Sequence, residues 1–176
     1  MNHKELWEKA AAFHGHVCPG LTIGYRAALY AIDLLGLTFS DDEQVVCITE
    51  NDACGVDAIQ AILGCSVGKG NLLFHITGKQ AFSFYNRKTG ASVRLVLNRL
   101  DKPMTREESF DYYHACKQED MFTVKEATLT VPEHACLFDS YVCECCGETA
   151  GANWIRLEGG KKLCLDCADK YDRFHV

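Results

Sequence analysis

Asn71-Leu72-Leu73-Phe74-His75-Ile76-Thr77-Gly78-Lys79-Gln80-Ala81-Phe82-Ser83-Phe84-Tyr85-Asn86-Arg87-Lys88-Thr89-Gly90-Ala91-Ser92-Val93-Arg94-Leu95-Val96-Leu97 is the stretch on which the fold turns. Its apolar and aromatic residues fall into three runs, Asn71–Ile76, Gln80–Tyr85 and Ala91–Leu97. Thr77-Gly78-Lys79 and Asn86–Gly90 separate them. Runs of this length bounded by glycine-bearing turns predict three strands joined by hairpins, hence an antiparallel-rich sheet. Upstream, the β-branched run Gln44–Thr49 reads as an interior strand, and Gly55–Leu63, closed by Gly64, as a helix. Residues 3–13 predict a short amphipathic helix with Leu6, Ala10 and Phe13 on one stripe. Leu21–Leu37 is apolar almost all round and reads as a buried helix, its charged exceptions Arg26 and Asp33 sharing one face. Downstream, Thr105-Arg106-Glu107-Glu108 has the form of a capping box opening a helix to about Lys117. Phe122–Val131 alternates as a strand stopped by Pro132. Helices and strands are segregated along the chain, which favours an α+β fold with an antiparallel-rich sheet and packed helices.

The chain has 176 residues, of which 48% are hydrophobic and 24% charged, enough apolar material for one soluble core plus an appendage. Composition shifts near Ser140, where cysteines crowd and apolar runs stop, dividing the chain into a core domain, 1–138, and a module, 139–176. The net charge of −6 argues against broad binding to nucleic acid. No apolar run approaches the length of a bilayer span, and Met1-Asn2-His3-Lys4-Glu5-Leu6-Trp7 lacks the layout of a secretory signal, so the expected location is cytoplasmic. Eleven cysteines, an odd number without an export signal, fit metal ligation or thiol chemistry better than a disulfide scaffold.

Cys143-x-x-Cys146 and Cys164-x-x-Cys167 form the strongest metal signal. Two such turns complete a tetrahedral four-thiolate shell. The stretch between them carries Gly159-Gly160, as a hairpin does, and Leu165–Phe174 is expected to form a helix. This order matches a treble-clef or zinc-ribbon module whose closed zinc is structural and supplies much of its folding energy. Cys145 disturbs the pattern, since it can compete with Cys146.

A second constellation lies in the core domain. His14-Gly15-His16-Val17-Cys18-Pro19-Gly20 sets imidazoles and a thiol at alternate positions before a Pro-Gly break. In an extended segment these side chains share one face, and they are the donors that borderline-soft metals prefer. His14 falls within reach of the first helix, which leaves His16 and Cys18 as the candidate ligands here. Cys54 stands at a helix N-terminus, where the dipole favours thiolate. Asp57, one turn on, is placed to act as ligand, base or hydrogen-bond acceptor. Cys18, Cys54 and Asp57 are the candidate catalytic residues, with His16, Cys18 and Cys54 as metal ligands. Cys65 precedes the loop Ser66-Val67-Gly68-Lys69-Gly70-Asn71, which suits an anion or a bulky cofactor. Cys65, Lys69, Asn71 and Arg26 are therefore candidate cofactor contacts, and Lys79 a further anion contact. Cys47, Cys116 and Cys136 read as ordinary buried thiols.

The sequence resembles the FmdE family, a group named for its gene neighbourhood with formylmethanofuran dehydrogenase. Phe13–Leu21 with Gly24 and Arg26, Asp52–Gln60, Gly64-Cys65, Gly68–Asn71 and Gly78–Phe82 carry the resemblance, over about residues 5–100 and more loosely to 135. It implies an α+β core, a homodimer, and a cleft lined by the His-x-Cys and second-cysteine segments. Some members also carry a C-terminal treble-clef zinc finger, which the last 35 or so residues resemble. The expected cofactors are structural zinc in the C-terminal module and a second transition metal, or metal-bearing cofactor, in the core cleft. A molybdenum or tungsten enzyme, or its maturation machinery, is the expected partner. Three functions follow: a carrier of metal or metal cofactor, a zinc- or thiol-dependent enzyme acting on a small anion, and a zinc-finger adaptor. The carrier is favoured.

Overall fold

A computed structural model of the chain describes residues 2–100 and 102–169. It separates into two compact units, Met1–Ala135 and Cys136–Val176. None of the described helices is long and apolar enough to cross a membrane.

The first unit contains α1 (His3–His14), α2 (Pro19–Leu35), β1 (Val45–Thr49), α3 (Gly55–Leu63), β2 (Leu72–Phe74), β3 (Ala81–Asn86), β4 (Ser92–Leu97), α4 (Arg106–Ala115), α5 (Gln118–Met121) and β5 (Phe122–Lys125). Asn2 caps α1, and Thr105 with Glu108 closes a capping box on α4. Pro19 stands at the start of α2, where its missing N–H costs nothing.

The five strands form one mixed α+β sheet in the order β2-β1-β3-β4-β5. The β3–β4 hairpin is present as expected, but β2 and β3 do not pair with each other. β2 runs parallel to β1, reached through α3, while β3 takes the opposite edge of β1 in antiparallel register. Thr77 and Gly78 donate their N–H groups to the Glu50 carbonyl, so the expected hairpin loop wraps the end of β1 instead of reversing the chain on itself. β1 is buried along its whole length. Val45 and Cys47 face the helices with Phe82, Phe84 and Leu95, whereas Val46, Ile48 and Tyr85 face a smaller cluster. Ala127, Leu129 and Val131 cover that second face, and Tyr85 Oη donates to the Leu129 carbonyl at 2.7 Å. The expected strand Phe122–Val131 accordingly stops at Lys125, because its second half serves as a cover for the sheet. On α1 the stripe is shorter than expected: Leu6 and Ala10 are buried and Phe13 is 57% exposed.

α2 and α3 cross backbone against backbone. A Cβ on Gly24 would lie 1.9 Å from the Gly55 carbonyl oxygen, so only glycine permits this approach. The crossing sits near the N-termini of both helices and sets Cys18, the N-cap of α2, beside Cys54, the N-cap of α3.

The second unit contains β6 (Ser140–Val142) paired with β7 (Thr149–Gly151), a short 3-10 turn over Ala152–Trp154, and the hairpin β8 (Ile155–Glu158) with β9 (Lys161–Cys164) turning at Gly159-Gly160. Of the expected helix Leu165–Phe174, residues 165–169 form a turn and the remainder lies outside the described residues.

Candidate metal centres

In the second unit the two Cys-x-x-Cys turns bring Cys143, Cys146, Cys164 and Cys167 together, one sulfur from each lying within 4.8 Å of the others. Tetrahedral ligand atoms around zinc stand about 3.4–3.8 Å apart, so small rotations close this set on one ion. Backbone amides supply the pull on the thiols. N–H groups of Cys146, Cys164 and Cys145 point at Cys143 Sγ and bring its pKa down to about 6. The neighbouring thiols of Cys164 and Cys146 push Cys167 upward, as expected of sulfurs crowded together for a cation. Glu144 ties the two knuckles, its N–H bonding the Lys162 carbonyl at 2.9 Å and its carboxylate accepting the Lys162 N–H. Cys145 is exposed and lies outside the four-sulfur set.

In the first unit, one ligand atom from each of His14, His16, Cys18 and Cys54 lies within 4.8 Å of the other three. The segment that supplies three of them is a helix–turn–helix corner, not the extended run that its alternation suggests. His14 closes α1, Gly15 reverses the chain at φ +85°, and Cys18 opens α2 with its sulfur accepting the Leu21 N–H at 3.3 Å. His14, absent from the expected ligand set, is therefore both helical and part of the cluster. The clue in the sequence is His-Gly at a helix end, where a left-handed glycine swings the following residues back over the last turn.

Asp57 explains how His14 is held. Its Oδ2 lies 2.7 Å from His14 Nδ1, and its Oδ1 accepts from Gln60 Nε2 at 3.1 Å. With Nδ1 so engaged, Nε2 is the lone-pair nitrogen, and it is buried without a hydrogen-bond partner. A buried, unsatisfied acceptor beside two thiols fits a cation, and a carboxylate behind a histidine is the usual support of a metal ligand. His16 stacks on His14 with ring centroids 4.3 Å apart and is exposed. Gly20 packs against both sulfurs, its Cβ position lying 3.7 Å from Cys54 Sγ and 3.8 Å from Cys18 Sγ. Contrary to the dipole expectation, the Cys54 thiol is pushed up by burial and by the Cys18 thiol beside it. Two thiols in one desolvated corner resist ionising until a positive charge joins them.

The remaining expected contacts lie elsewhere. Cys65 is fully buried against β1, its thiol donating to the Val45 carbonyl at 3.5 Å and pushed up by burial to about 12. The Asn71 amide donates to the carbonyls of Val45 and Asp42 and accepts the Ser66 N–H, which makes it a brace of its own loop. Lys69 Nζ donates to the Ser40 carbonyl at 2.6 Å. Arg26 donates to the carbonyls of His114 and Cys116 and so fastens α4 to α2. None of these four belongs to the ligand group. Lys79 lends its carbonyl to Asn51 Nδ2 and is exposed. Cys47 is buried in the core as expected of an ordinary thiol, whereas Cys116 is only half-buried and Cys136 is exposed.

A family model described as "FmdE, Molybdenum formylmethanofuran dehydrogenase operon" matches residues 13–134, and one described as "Prokaryotic dksA/traR C4-type zinc finger" matches residues 138–173. A curated protein of Archaeoglobus fulgidus, named "Probable S-adenosyl-L-methionine-binding protein", is 28% identical over 197 aligned residues, which cover 93% of this chain and 52% of that protein. The chain thus spans about half the length of this relative. The crystal structure of an FmdE-like protein of tungsten formylmethanofuran dehydrogenase from Syntrophus aciditrophicus superposes with a TM-score of 0.67 at 24% identity, covering 94% of this chain and 91% of that one. At that identity the likeness is one of fold.

Proposed function

The chain belongs to the FmdE family, and from that premise we propose that its core domain carries a transition metal or a metal-bearing cofactor for delivery to a partner enzyme. A metal-binding role and a structural zinc in the C4 finger are given by the family match and the two ligand groups. The core site and its traffic are our reading. The observation that carries it is the buried, unpartnered Nε2 of His14, oriented by Asp57 toward the Cys18 and Cys54 sulfurs. His14, Cys18 and Cys54 sit on helix ends and are positioned before any ion arrives. His16 is exposed on the short link between helices, which suits a ligand that lets go when cargo leaves. Mixed imidazole and thiolate donors select borderline-soft ions such as zinc, copper or nickel over calcium or magnesium. A molybdenum or tungsten enzyme, or its maturation machinery, is the partner we propose, with the core acting as a homodimer.

An enzymatic use of the same corner places Asp57 as base. Both Asp57 oxygens already accept hydrogen bonds, which supports an orienting task for it instead. The name of the A. fulgidus relative makes S-adenosyl-L-methionine a ligand worth testing on the metal-loaded chain.

Metal analysis of the purified protein decides the matter. We expect about two ions per chain in the wild type, about one in Cys18→Ala and about one in Cys143→Ala, each variant losing a different ion. About one ion per chain in both wild type and Cys18→Ala overturns the core site. Transfer is tested separately: a competing chelator should strip the core ion while the finger keeps its zinc. Turnover of a small molecule that Cys18→Ala abolishes favours the enzyme.

A further inference from the structure

A cavity of about 310 Å³ opens on Cys18, walled by Val17, Pro19 and Phe110, with Arg106 and Glu107 at its rim. Its lining is mostly apolar, and its volume is at the small end of ligand pockets, which run to roughly 300–1,000 Å³. Val17 is 51% exposed here although it is a large aliphatic residue between two candidate ligands, so one wall of this apolar hollow is uncovered. The two charged residues enter from the first turn of α4. Neither Arg106 nor Glu107 forms an ion pair with another described residue. The far wall is firm, since Phe110 packs on Trp7 and His114 at centroid distances of 6.2 and 4.8 Å.

We infer that this cavity seats a small organic monoanion with an apolar body, whose charged head reaches the metal corner at Cys18. The assignment rests on the reading of His14, His16, Cys18 and Cys54 as metal ligands. The body is apolar because Val17, Pro19 and Phe110 offer no hydrogen bonds to a polar one. The head is an anion because it meets a cation at the floor and the Arg106 guanidinium at the rim. It is singly charged because Glu107, next to Arg106, repels a second negative charge at the mouth. The exposed ligand His16 stands at this same corner, so an anionic head that coordinates the ion can replace its imidazole. Such a ligand travels with the metal, or prompts its release.

The test uses the full chain with Trp154→Phe, which leaves Trp7 as the sole tryptophan. Trp7 lies against Phe110, so its emission reports on the cavity wall. The chain is loaded with cobalt(II), whose visible bands report on the ligand set of the core ion. Three probes are titrated: 3-phenylpropionate, acetate, which lacks the apolar body, and phenyl phosphate, which carries the second charge. The expected result is that 3-phenylpropionate shifts both signals and binds about tenfold or more tightly than either of the others. Val17→Asp, which changes only an exposed wall, should abolish that preference while cobalt stays bound, and Phe110→Ala should weaken it. Equal affinity for 3-phenylpropionate and acetate overturns the apolar seat, and equal affinity for phenyl phosphate overturns the monoanion. A preference that survives Val17→Asp places the probe elsewhere and also overturns it. If cobalt never enters the core, the carrier reading fails, and the Trp7 signal alone still decides whether the cavity holds the probe.

Discussion

Asp57 Oδ2 stands 2.7 Å from His14 Nδ1, and the opposite nitrogen of that ring is buried without a partner. One residue starts α3 and the other ends α1, 43 positions apart, so the pair exists only in the folded chain. The carboxylate fixes both the ring angle and the tautomer, which aims a lone pair at the Cys18 and Cys54 sulfurs. Asp57→Asn keeps the shape and removes the charge. It is expected to lower core metal affinity about 10–100-fold while leaving the finger's zinc untouched. Competition with a chromophoric chelator measures this, and an unchanged core affinity would show that Asp57 has no such part.

The Gly24–Gly55 crossing makes a sharper demand on the backbone. A methyl on Gly24 would press into the Gly55 carbonyl at 1.9 Å, and no rotamer change relieves a backbone clash. A Cβ on Gly55 meets Gly20 O at 3.0 Å and the Gly24 backbone at 3.1 Å, a milder squeeze. Gly24→Ala is therefore expected to destabilise the first unit by about 3 kcal/mol, lowering Tm by about 10 °C, and Gly55→Ala by less. The crossing also sets Cys18 beside Cys54, so Gly24→Ala should lose the core metal even at temperatures where it remains folded. Metal analysis and calorimetry on the two variants would separate the effects, and equal melting of both would remove the argument.

What is legible in the sequence follows from how local each signal is. The bounds of α3 are readable because Gly64 stops it in the left-handed conformation, and α4 because its capping box is written in four residues. The strand runs at 72–74, 81–86 and 92–97 are readable from residue type, but strand neighbours are not. Periodicity says that a segment is extended, and only the parallel ladder Cys47↔Leu72 and the antiparallel ladder Cys47↔Phe84 show that β1 lies between β2 and β3. The same limit applies to the corner. Cys18 and Cys54 stand out as helix-start thiols, whereas His14 reads as the end of a helix. It joins the set because α1 and α3 pack side by side and Gly15 turns the chain. Lys69 and Asn71 resemble a cofactor loop because a loop that braces itself and a loop that grips a ligand use the same residue types.

The C4 finger lacks a core of its own. Cys143 is its one described residue with a fully buried apolar side chain, and every strand in it is three or four residues long. Its order should depend on zinc. Removing zinc with a strong chelator, or Cys143→Ser, is expected to unfold residues 136–169 while the first unit melts as before. Amide hydrogen exchange resolves the two units. Protection of the β8–β9 hairpin that persists without zinc would show that the finger folds on other grounds.

Glu50 provides the pH dependence. It is almost wholly buried at the end of β1, with Arg94 Nε 2.6 Å from Oε1 and Thr77 Oγ1 3.0 Å from Oε2. The Arg94 hydrogen bonds, helped by Thr77, hold its carboxyl below the usual range against the cost of burial. A depressed folded pKa means that the unfolded chain takes up the proton first. The contribution is thus fully present above the unfolded carboxylate value of about 4.3, and it is lost as pH falls through the lower folded value. Glu50→Gln leaves the Arg94 guanidinium without its counter-charge, and at neutral pH should cost about 2–3 kcal/mol. Below about pH 4 the gap between wild type and variant should narrow, because the wild-type carboxyl is by then neutral as well. Urea midpoints at pH 7 and at the lowest pH where both unfold cooperatively give the comparison. A gap as wide in acid as at neutrality would mean that Glu50 acts through shape and not through charge.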